Sequence, residues 1–464
     1  MNRLEIKLKQ HTPLIHFQHD QKGATLRASE VKPKLDRFIL TRLGKDKYDK
    51  ISYEEFDKVA CLFEKTNKGK DFNDLSRSQK EQEVAKYLAS QMKWFVGKEE
   101  YHALNYKMRI EVSSSNEREE FLLASYLKQD IVRSMQQENI NAVSNTPYFA
   151  QEKENGIIAK ASYKKSEWDK IGKKGILERG TILLTIFCLG DTKETALLKT
   201  VAEYIQSFFV STNFGTRQSK GFGSFTVTEI RLNGGNPLTL KNSVTLLKEN
   251  FLFVYKKTIT GNGTNRIANI FSTINDDYKI IKSGKTTPKP YVKSKMMLYA
   301  DENNLGWDKK YIKSKTDGTF RSTNGQEFHL KCSPENKKSS YADRDDYKYF
   351  RAMLGLAEQF EFQLANPPEG KSSNKMIVKI SCPDISRYQS PLLFKVIDND
   401  IYLVGNRVSA QMLNMTFNLN VTIQGDRDKK NVPIESIKTP MKFSLLDFMR
   451  FAMKDKSLRY EQLK

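Results

Sequence analysis

Apolar and polar residues alternate at the beginning of the chain and then change to a helical spacing. Alternation that begins with Leu4, Ile6 and Leu8 predicts a strand within residues 4–17. From about Lys32 the apolar residues recur every three or four positions, which predicts an amphipathic helix that ends at Gly44.

The first half continues with alternating strand and helix patterns. Two helices are predicted within residues 45–100, a strand at 102–113, a helix at about 117–137, a strand at 180–189, a helix at 192–210 and a strand at 224–232. When the helices at about 45–100 and 117–137 are set aside as insertions, the order is strand, helix, strand, strand, helix, strand. This order predicts a ferredoxin-like split βαβ domain over residues 1–233.

The turn-forming segment 233–237 marks a boundary, and the pattern beyond it is weaker. Strands are predicted at 250–258, 375–382, 392–397 and 401–404, and helices at 341–361 and 444–454. The sequence therefore predicts a second α+β domain over residues 238–464. A basic insertion is expected at about 260–340, where lysines are mixed with aromatic residues that suit single-stranded RNA or simply form a soluble loop.

The charge of the chain indicates an acidic partner. The 464 residues carry 77 Lys and Arg against 55 Asp and Glu, a formal net charge of +22.

No apolar run is long enough for a membrane span, and no apolar signal region follows the N-terminus. The four cysteines are isolated, which favours a reducing cytoplasm. We expect a cytoplasmic protein without metal or cofactor, and we read the pair His329 and Cys332 as incidental.

A glycine segment between a helix and a strand is the sharpest motif. It contains Gly215, Gly221 and Gly223, with the cations Arg217 and Lys220 between them. The order helix then strand excludes a Rossmann or P-loop site, which needs a strand before a helix. The segment is either a cradle for a sugar-phosphate backbone or a tight connection whose glycines only turn the chain.

This segment resembles the glycine-rich loop of the RAMP superfamily of CRISPR-associated proteins. Asn213 stands where that family usually has its first glycine, and asparagine tolerates a left-handed backbone. A second resemblance is the stretch after the first strand, in which Pro33 replaces a glycine; its residues are Thr12, Pro13, Leu14, Leu26, Arg27, Ser29, Val31, Lys32, Leu35 and Arg37. The resemblance implies an α+β protein of two ferredoxin-like (RRM/RAMP) domains, residues 1–233 and 238–464, with helical and loop insertions.

Two stretches of the second half are similar to one type of family member. Residues 349–362 resemble an arginine-containing helix, with Arg351, and residues 386–396 resemble a strand with an R-x-x-S-P-L pattern, with Arg387. Both are features of the two-domain subunit of the type III-B Cmr complex that caps the guide 3′ end. The resemblance implies a non-catalytic subunit that contacts crRNA and target RNA and docks to other subunits of the complex.

Residue patterns independently agree with RNA binding. Lys34, Arg37 and Thr41 share the helix face opposite the apolar stripe, so they form either a phosphate-contacting face or a solvated one. The candidate RNA-binding residues are Arg27, Lys32, Lys34, Arg37, Gly215, Arg217, Lys220, Gly221, Gly223, Arg351 and Arg387.

Histidines near the first strand suggest an alternative function. His16, His19 and Asp20 lie close together in sequence, and a histidine pair is able to cleave RNA by acid–base catalysis without metal. The same residues are also typical of an ordinary polar loop, and their spacing does not show that the imidazoles converge. A metal-independent endoribonuclease that uses His16 or His19 is therefore the alternative to an RNA-binding subunit.

Overall fold

A computed structural model describes most of the chain. The described residues are 2–16, 25–96, 103–112, 118–125, 127, 129–147, 173–188, 192–285, 291–321, 327–331, 346–357, 359–365, 375–385, 387–423 and 432–464. His19, Asp20 and Cys332 lie outside them.

Helices and strands alternate along the whole of the described chain, which confirms the predicted α+β class. The helices α1 to α10 are Ala28–Tyr48, Tyr53–Thr66, Arg77–Gln91, Gln129–Gln137, Thr192–Ser211, Ser243–Asn250, Gly263–Lys282, Lys295–Glu302, Asp308–Thr316 and Leu445–Met453. The strands β1 to β17 are Asn2–Gln10, Lys107–Val112, Arg118–Leu123, Asn141–Val143, Lys173–Glu178, Ile182–Cys188, Phe225–Leu232, Phe253–Thr258, Gly306–Trp307, Tyr347–Lys348, Gln359–Gln363, Lys375–Ser381, Leu392–Ile397, Asp400–Gly405, Thr416–Ile423, Val432–Lys438 and Glu461–Gln462.

The first half contains an antiparallel sheet in the order β2-β6-β1-β7. Counted along the chain, this is the order 2-3-1-4, with α1 after its first strand and α5 before its last, as in a split βαβ unit. Alternation in β1 buries Leu4 and Ile6, which pair with Ile186 and Leu184 of β6. These residues share one core with the apolar faces of α1 and α5.

Helix α1 is longer than the sequence predicted. It begins at Ala28 and continues to Tyr48, so the predicted end at Gly44 was wrong. Gly44 instead allows α3 to approach, because a Cβ there would lie 2.0 Å from the Glu81 carbonyl oxygen.

Two insertions interrupt the first sheet. The predicted helices of the first insertion are α2 and α3, whose N-termini carry capping boxes of Ser52 with Glu55 and Ser76 with Gln79. The second insertion contains the sheet β4-β3-β5 and helix α4. The prediction of one helix at about 117–137 was therefore wrong over its first half, where residues 118–123 pair with β4 and β5 as a strand.

The second half has a sheet in the order β13-β14-β8-β17. Counted from β8, this is again the order 2-3-1-4, with α7 after the first strand and α10 before the last. The segments between these elements include the sheet β11-β12-β15-β16-β10-β9. The predicted helix at 341–361 was wrong, because Phe350–Leu354 is a short 3-10 helix that ends at Gly355, and Gln359–Gln363 is a strand.

The chain forms two compact units that interleave in sequence. Unit 1 comprises Met1–Asn250, Thr258–Ser272 and Phe394–Tyr402, and unit 2 comprises Phe251–Lys257, Thr273–Leu393 and Leu403–Lys464. The boundary predicted from the sequence lies at residues 233–238 and divides the chain only once. Among the helices that the structure describes, none has the length and apolar character needed to cross a membrane.

Candidate nucleic-acid interface

The end of the first strand and the glycine segment lie side by side in unit 1. The Gly223 N–H donates to the Pro13 carbonyl oxygen at 3.0 Å. The Thr12 hydroxyl donates to the Gly221 carbonyl oxygen at 2.6 Å. The two segments that carry the family resemblance, which are far apart in sequence, are therefore brought together by direct hydrogen bonds.

Two glycines are required by this close approach. Gly215 has φ of +74°, and a Cβ there would lie 2.4 Å from the Ile15 carbonyl oxygen. Gly223 has φ of +60°, and a Cβ there would lie 2.1 Å from the Phe214 carbonyl oxygen. A left-handed backbone with no room for a Cβ selects glycine. Both glycines thus let the chain approach itself, and residues 216–219 between them are half-buried.

A buried lysine of β13 holds the turn that precedes the glycine segment. Lys395 is 0 % exposed, and its Nζ donates to the carbonyl oxygens of Phe209 at 2.7 Å, Thr212 at 3.0 Å and Phe225 at 2.9 Å. It also lies 3.2 Å from Asn213 Oδ1. The last carbonyls of α5 have no partner within the helix, so a cation there is favourable. Burial alone lowers the pKa of Lys395; the four oxygen acceptors counteract this effect.

Asn213 acts through its side chain. Its Nδ2 donates to the carbonyl oxygens of Gln218 at 2.7 Å and Phe394 at 2.9 Å. Asn213 does not use the left-handed backbone that asparagine tolerates, because the non-glycine residue with positive φ in this segment is Arg217, at +56°. The side-chain amide of Asn213 thus holds the turn closed through two hydrogen bonds, which a glycine at this position would not make.

Helix α1 is attached to the glycine segment through Glu30. Its Oε1 accepts hydrogen bonds from the Gly215 N–H and from Lys34 Nζ, both at 2.8 Å. Lys34 Nζ also lies 5.0 Å from the centroid of the Phe214 ring. The side chain of Lys34 is half-buried. Lys34 therefore remains at the surface, but part of its charge is compensated by Glu30.

Lys32 is used inside the domain. Its Nζ donates to Asp36 Oδ2 at 2.7 Å and to the Leu104 carbonyl oxygen at 2.9 Å, and it lies 4.1 Å from the centroid of the Tyr106 ring. The Leu104 N–H and the Tyr106 hydroxyl also donate to Asp36. Lys32 thus joins α1 to the segment before β2.

Arg37 is an exposed cation in the middle of α1. Its guanidinium makes no hydrogen bond or ion pair with any residue of the described chain. It lies at the edge of a cavity of about 640 Å³ between α1 and α3, which is lined by Lys32, Pro33, Asp36, Arg37, Leu40, Thr41, Gln82, Lys86 and Ala103. The guanidinium of Arg37 is therefore available to an external anion.

The other predicted cations of unit 1 differ in exposure. Arg27 and Arg217 are half-buried, whereas Lys220 is only 7 % exposed. The Lys220 N–H donates to the Arg217 carbonyl oxygen at 2.8 Å, which closes the turn between the glycines. Lys220 was predicted to be a phosphate-seeking surface cation, but its position beside Phe394 buries it.

Comparison with family models covers nearly the whole chain. The Cmr1 N-terminal domain matches residues 1–285 and the Cmr1 C-terminal domain matches residues 291–464. The chain belongs to the Cmr1 family. This membership confirms the resemblance found in the glycine segment, in the stretch after the first strand and in the second half. Among curated proteins, none matches the sequence.

Solved structures that resemble this Cmr1-family chain share little sequence with it. The crystal structure of apo Cmr1 from Pyrococcus furiosus is 11% identical, with a TM-score of 0.38, over 100% of this chain and 98% of that chain. A chain of the type III-B Cmr-beta complex bound to cognate target RNA is 13% identical, with a TM-score of 0.35, over 87% of this chain and 94% of that chain. A chain of the Cmr-beta complex bound to cognate target RNA and AMPPnP, in the presence of ssDNA, is 15% identical, with a TM-score of 0.35, over 97% of this chain and 98% of that chain.

The described histidines near β1 make structural hydrogen bonds. His11 is buried; its Nδ1 accepts from the Asp398 N–H at 3.0 Å, so its Nε2–H donates to Thr226 Oγ1 at 2.7 Å. Burial lowers the pKa of His11 below 6.5. His16 Nε2–H donates to the Thr25 carbonyl oxygen at 2.5 Å. Each imidazole thus holds two parts of unit 1 together.

The two predicted arginines of unit 2 lie in different environments. Arg351 is buried, and its Nε and Nη2 lie 2.9 Å from the Asp308 carboxylate. Its guanidinium also lies 4.0 Å from the centroid of the Phe360 ring. Arg387, in contrast, is exposed. The guanidinium of Arg351 is therefore committed to an internal ion pair, which the sequence analysis did not predict.

Metal ligation finds no support in the described part of the chain. Within it, no three His, Cys, Asp or Glu side chains come close enough together to hold an ion. Lys395 and Glu30, which hold the glycine segment in place, were missed by sequence reasoning because Phe209 and Gly215, to which they bond, lie 186 and 185 residues away.

Proposed function

We propose that the protein is a non-catalytic RNA-binding subunit of a type III-B CRISPR effector ribonucleoprotein, which contacts crRNA and target RNA and docks to other subunits. The observation that carries the proposal is the junction of α1 with the glycine segment. Glu30 and Lys395 hold this junction from two sides through buried or half-buried hydrogen bonds. A surface fixed in this way is able to bind a phosphate backbone without the entropic cost of ordering a loop.

Cationic side chains lie on α1 and in the glycine segment, the two elements that form this junction. Arg37 is exposed, and Lys34 and Arg217 are half-buried beside the glycines. Arginine binds phosphate oxygens with two parallel hydrogen bonds, so Arg37 and Arg217 are the proposed phosphate ligands. Lys32 and Lys220 are left out of the interface, since the first is bonded inside the domain and the second is buried. The overall charge of +22 adds a long-range attraction for RNA.

The absence of catalysis in this proposal is supported by the engaged histidines. Both ring nitrogens of His11 and the Nε2 of His16 bond to internal partners, and burial lowers the pKa of His11. A general base must instead reach the 2′-hydroxyl of the substrate. Purified protein should leave labelled RNA intact with or without divalent metal. Cleavage that His16→Ala or His19→Ala removes would establish the endoribonuclease alternative.

Fluorescence anisotropy with a labelled single-stranded RNA tests the interface. The double variant Arg37→Ala with Arg217→Ala should bind more weakly than the wild type at unchanged melting temperature. Its slope of log K against log salt should fall by about 0.7 for each lost phosphate contact. Arg133→Ala is the matched control, because Arg133 is an exposed arginine of unit 1 on α4. Equal binding by the double variant and the control would contradict the proposed interface.

A further inference from the structure

The cavity of about 640 Å³ between α1 and α3 is large enough for a ligand. Its lining residues Pro33, Arg37, Thr41 and Gln82 are exposed, so the cavity opens to solvent. Ligand sites in proteins usually enclose about 300–1,000 Å³. The cavity therefore has room for a molecule of the size of one nucleotide.

The lining of the cavity carries three cations and one carboxylate. Lys32 Nζ lies 2.7 Å from Asp36 Oδ2, and Lys86 Nζ lies 2.6 Å from Glu83 Oε1. The guanidinium of Arg37 has no such acidic partner in the part of the chain that the structure describes. A ligand with a negative charge beside Arg37 would therefore complement the cavity.

The wall of the cavity suits a flat ring. Pro33, Leu40 and Ala103 supply apolar lining, and Gln82 supplies a side-chain amide. Apolar side chains pack on the face of a nucleobase, whereas an amide is able to donate and accept hydrogen bonds at the edge of the base. An acidic side chain of a protein would pair with Arg37 but has no ring to cover the apolar wall. The lining thus favours a nucleotide.

The cavity adjoins the RNA interface proposed for unit 1. Arg37 follows Lys34 by three positions and Pro33 by four, so it lies one helical turn beyond both side chains. Lys34 is on the side of α1 that meets the glycine segment, where its Nζ lies 5.0 Å from the centroid of the Phe214 ring. Pro33 lines the cavity. A strand whose phosphate binds Arg37 is therefore able to direct a base into the cavity.

We propose that the cavity between α1 and α3 receives one unpaired base of the bound RNA strand, with Arg37 on the phosphate and Gln82 at the edge of the base. This inference rests on the proposed function and deepens it, because it adds a base contact to the phosphate contacts of unit 1. Single-stranded RNA suits this mode of binding, since its bases are free to turn out of the strand. One amide that both donates and accepts tolerates more than one type of base.

The experiment compares two labelled strands that carry the same number of phosphates, an oligouridine and an abasic oligomer with the same ribose-phosphate backbone. The wild-type chain should bind oligouridine about fivefold or more tightly than the abasic strand, as expected for one base contact. Ala103→Leu narrows the cavity and should remove most of this preference while leaving the affinity for the abasic strand unchanged. Gln82→Ala, at an exposed position of α3, should reduce the preference in the same direction.

Gln91→Ala is the matched control, because Gln91 is an exposed glutamine of the same helix outside the lining of the cavity. All three variants should melt as the wild type does. An oligomer that contains 4-thiouridine should photo-cross-link to residues within 33–41 or 82–86 of the wild type, and Ala103→Leu should lose these adducts.

The outcomes separate the base site from the proposed function. If Ala103→Leu and Gln82→Ala bind oligouridine as the control does, the base site is refuted, whereas weaker binding by Arg37→Ala with Arg217→Ala would still support the proposed function. Equal affinity of the wild type for the two strands would also refute the base site. A wild type that binds neither strand would refute both. Labelled polyglutamate that binds the wild type but not Ala103→Leu would assign the cavity to an acidic protein segment and overturn the proposal.

Discussion

Replacement of Lys395 by methionine should destabilise unit 1 and loosen the glycine segment. The two side chains have similar length, so the change removes the ammonium group without opening a large cavity. It leaves the carbonyl oxygens of Phe209, Thr212 and Phe225 without the Nζ donor that they share in a site that is fully buried.

The size of the effect follows from two opposing terms. Each hydrogen bond from a charged donor contributes about 1.5–3 kcal/mol, so the three hydrogens of the ammonium group give roughly 4.5–9 kcal/mol of favourable interaction. Removal of the buried charge also removes its desolvation penalty of several kcal/mol, which offsets part of this loss of stability. A net loss of about 3 kcal/mol is expected. At about 2–4 °C per kcal/mol for a domain of 150–250 residues, unit 1 should melt roughly 6–12 °C lower.

Scanning calorimetry and amide hydrogen exchange measure this change together. Lys199→Met, on an exposed position of α5, is the matched control for the loss of a charge. Exchange should accelerate at residues 213–223 in Lys395→Met and remain as in the wild type in the control. A variant that is as stable as the wild type, with the same exchange in this segment, would refute the anchoring role of Lys395.

Three further predictions follow from single contacts. Gly223→Ala should lower the free energy of unfolding by more than about 2 kcal/mol, because it combines a strained left-handed residue with a clash, and denaturant unfolding should show it. Arg351→Met should lower the free energy of unfolding by about 3–5 kcal/mol in the same assay, because it leaves the buried charge of Asp308 unpaired. The double variant Arg351→Met with Asp308→Leu should recover most of this stability, because neither charge remains. The free energy of unfolding should fall as the pH drops below 6.5, because the pKa of His11 is lowered in the folded chain and the unfolded chain takes up the proton more readily. His11→Gln should reduce the slope of the free energy of unfolding against pH between pH 7.5 and 5.5.

The strand order of the first half could be predicted because its signals are local. Alternation in β1 and the continuous apolar run of β6 each identify a strand, and the helices between them have clear apolar stripes. In the second half, long inserted segments separate β8 from β13 and β14 from α10, so the same order was not visible in the pattern. Residues 118–123 show why periodicity can mislead, since pairing with two neighbouring strands overrides a helical spacing.

The candidate site could be predicted only in part. The glycine segment and the stretch after β1 were found separately, and their direct contact needed the structure. Sequence spacing cannot show that Glu30 bonds to Gly215 or that Lys395 supports Asn213, because these partners meet only in the folded chain. It also could not separate buried from exposed cations of the same residue type.

The most direct test of the central claim is purification of the tagged protein from its native host, followed by sequencing of the RNA that it retains. The account predicts that CRISPR-derived guide RNA is strongly enriched, that other subunits of a type III-B complex co-purify, and that the enrichment falls in the Arg37→Ala with Arg217→Ala variant. Recovery of the chain without guide RNA and without such subunits would contradict the account.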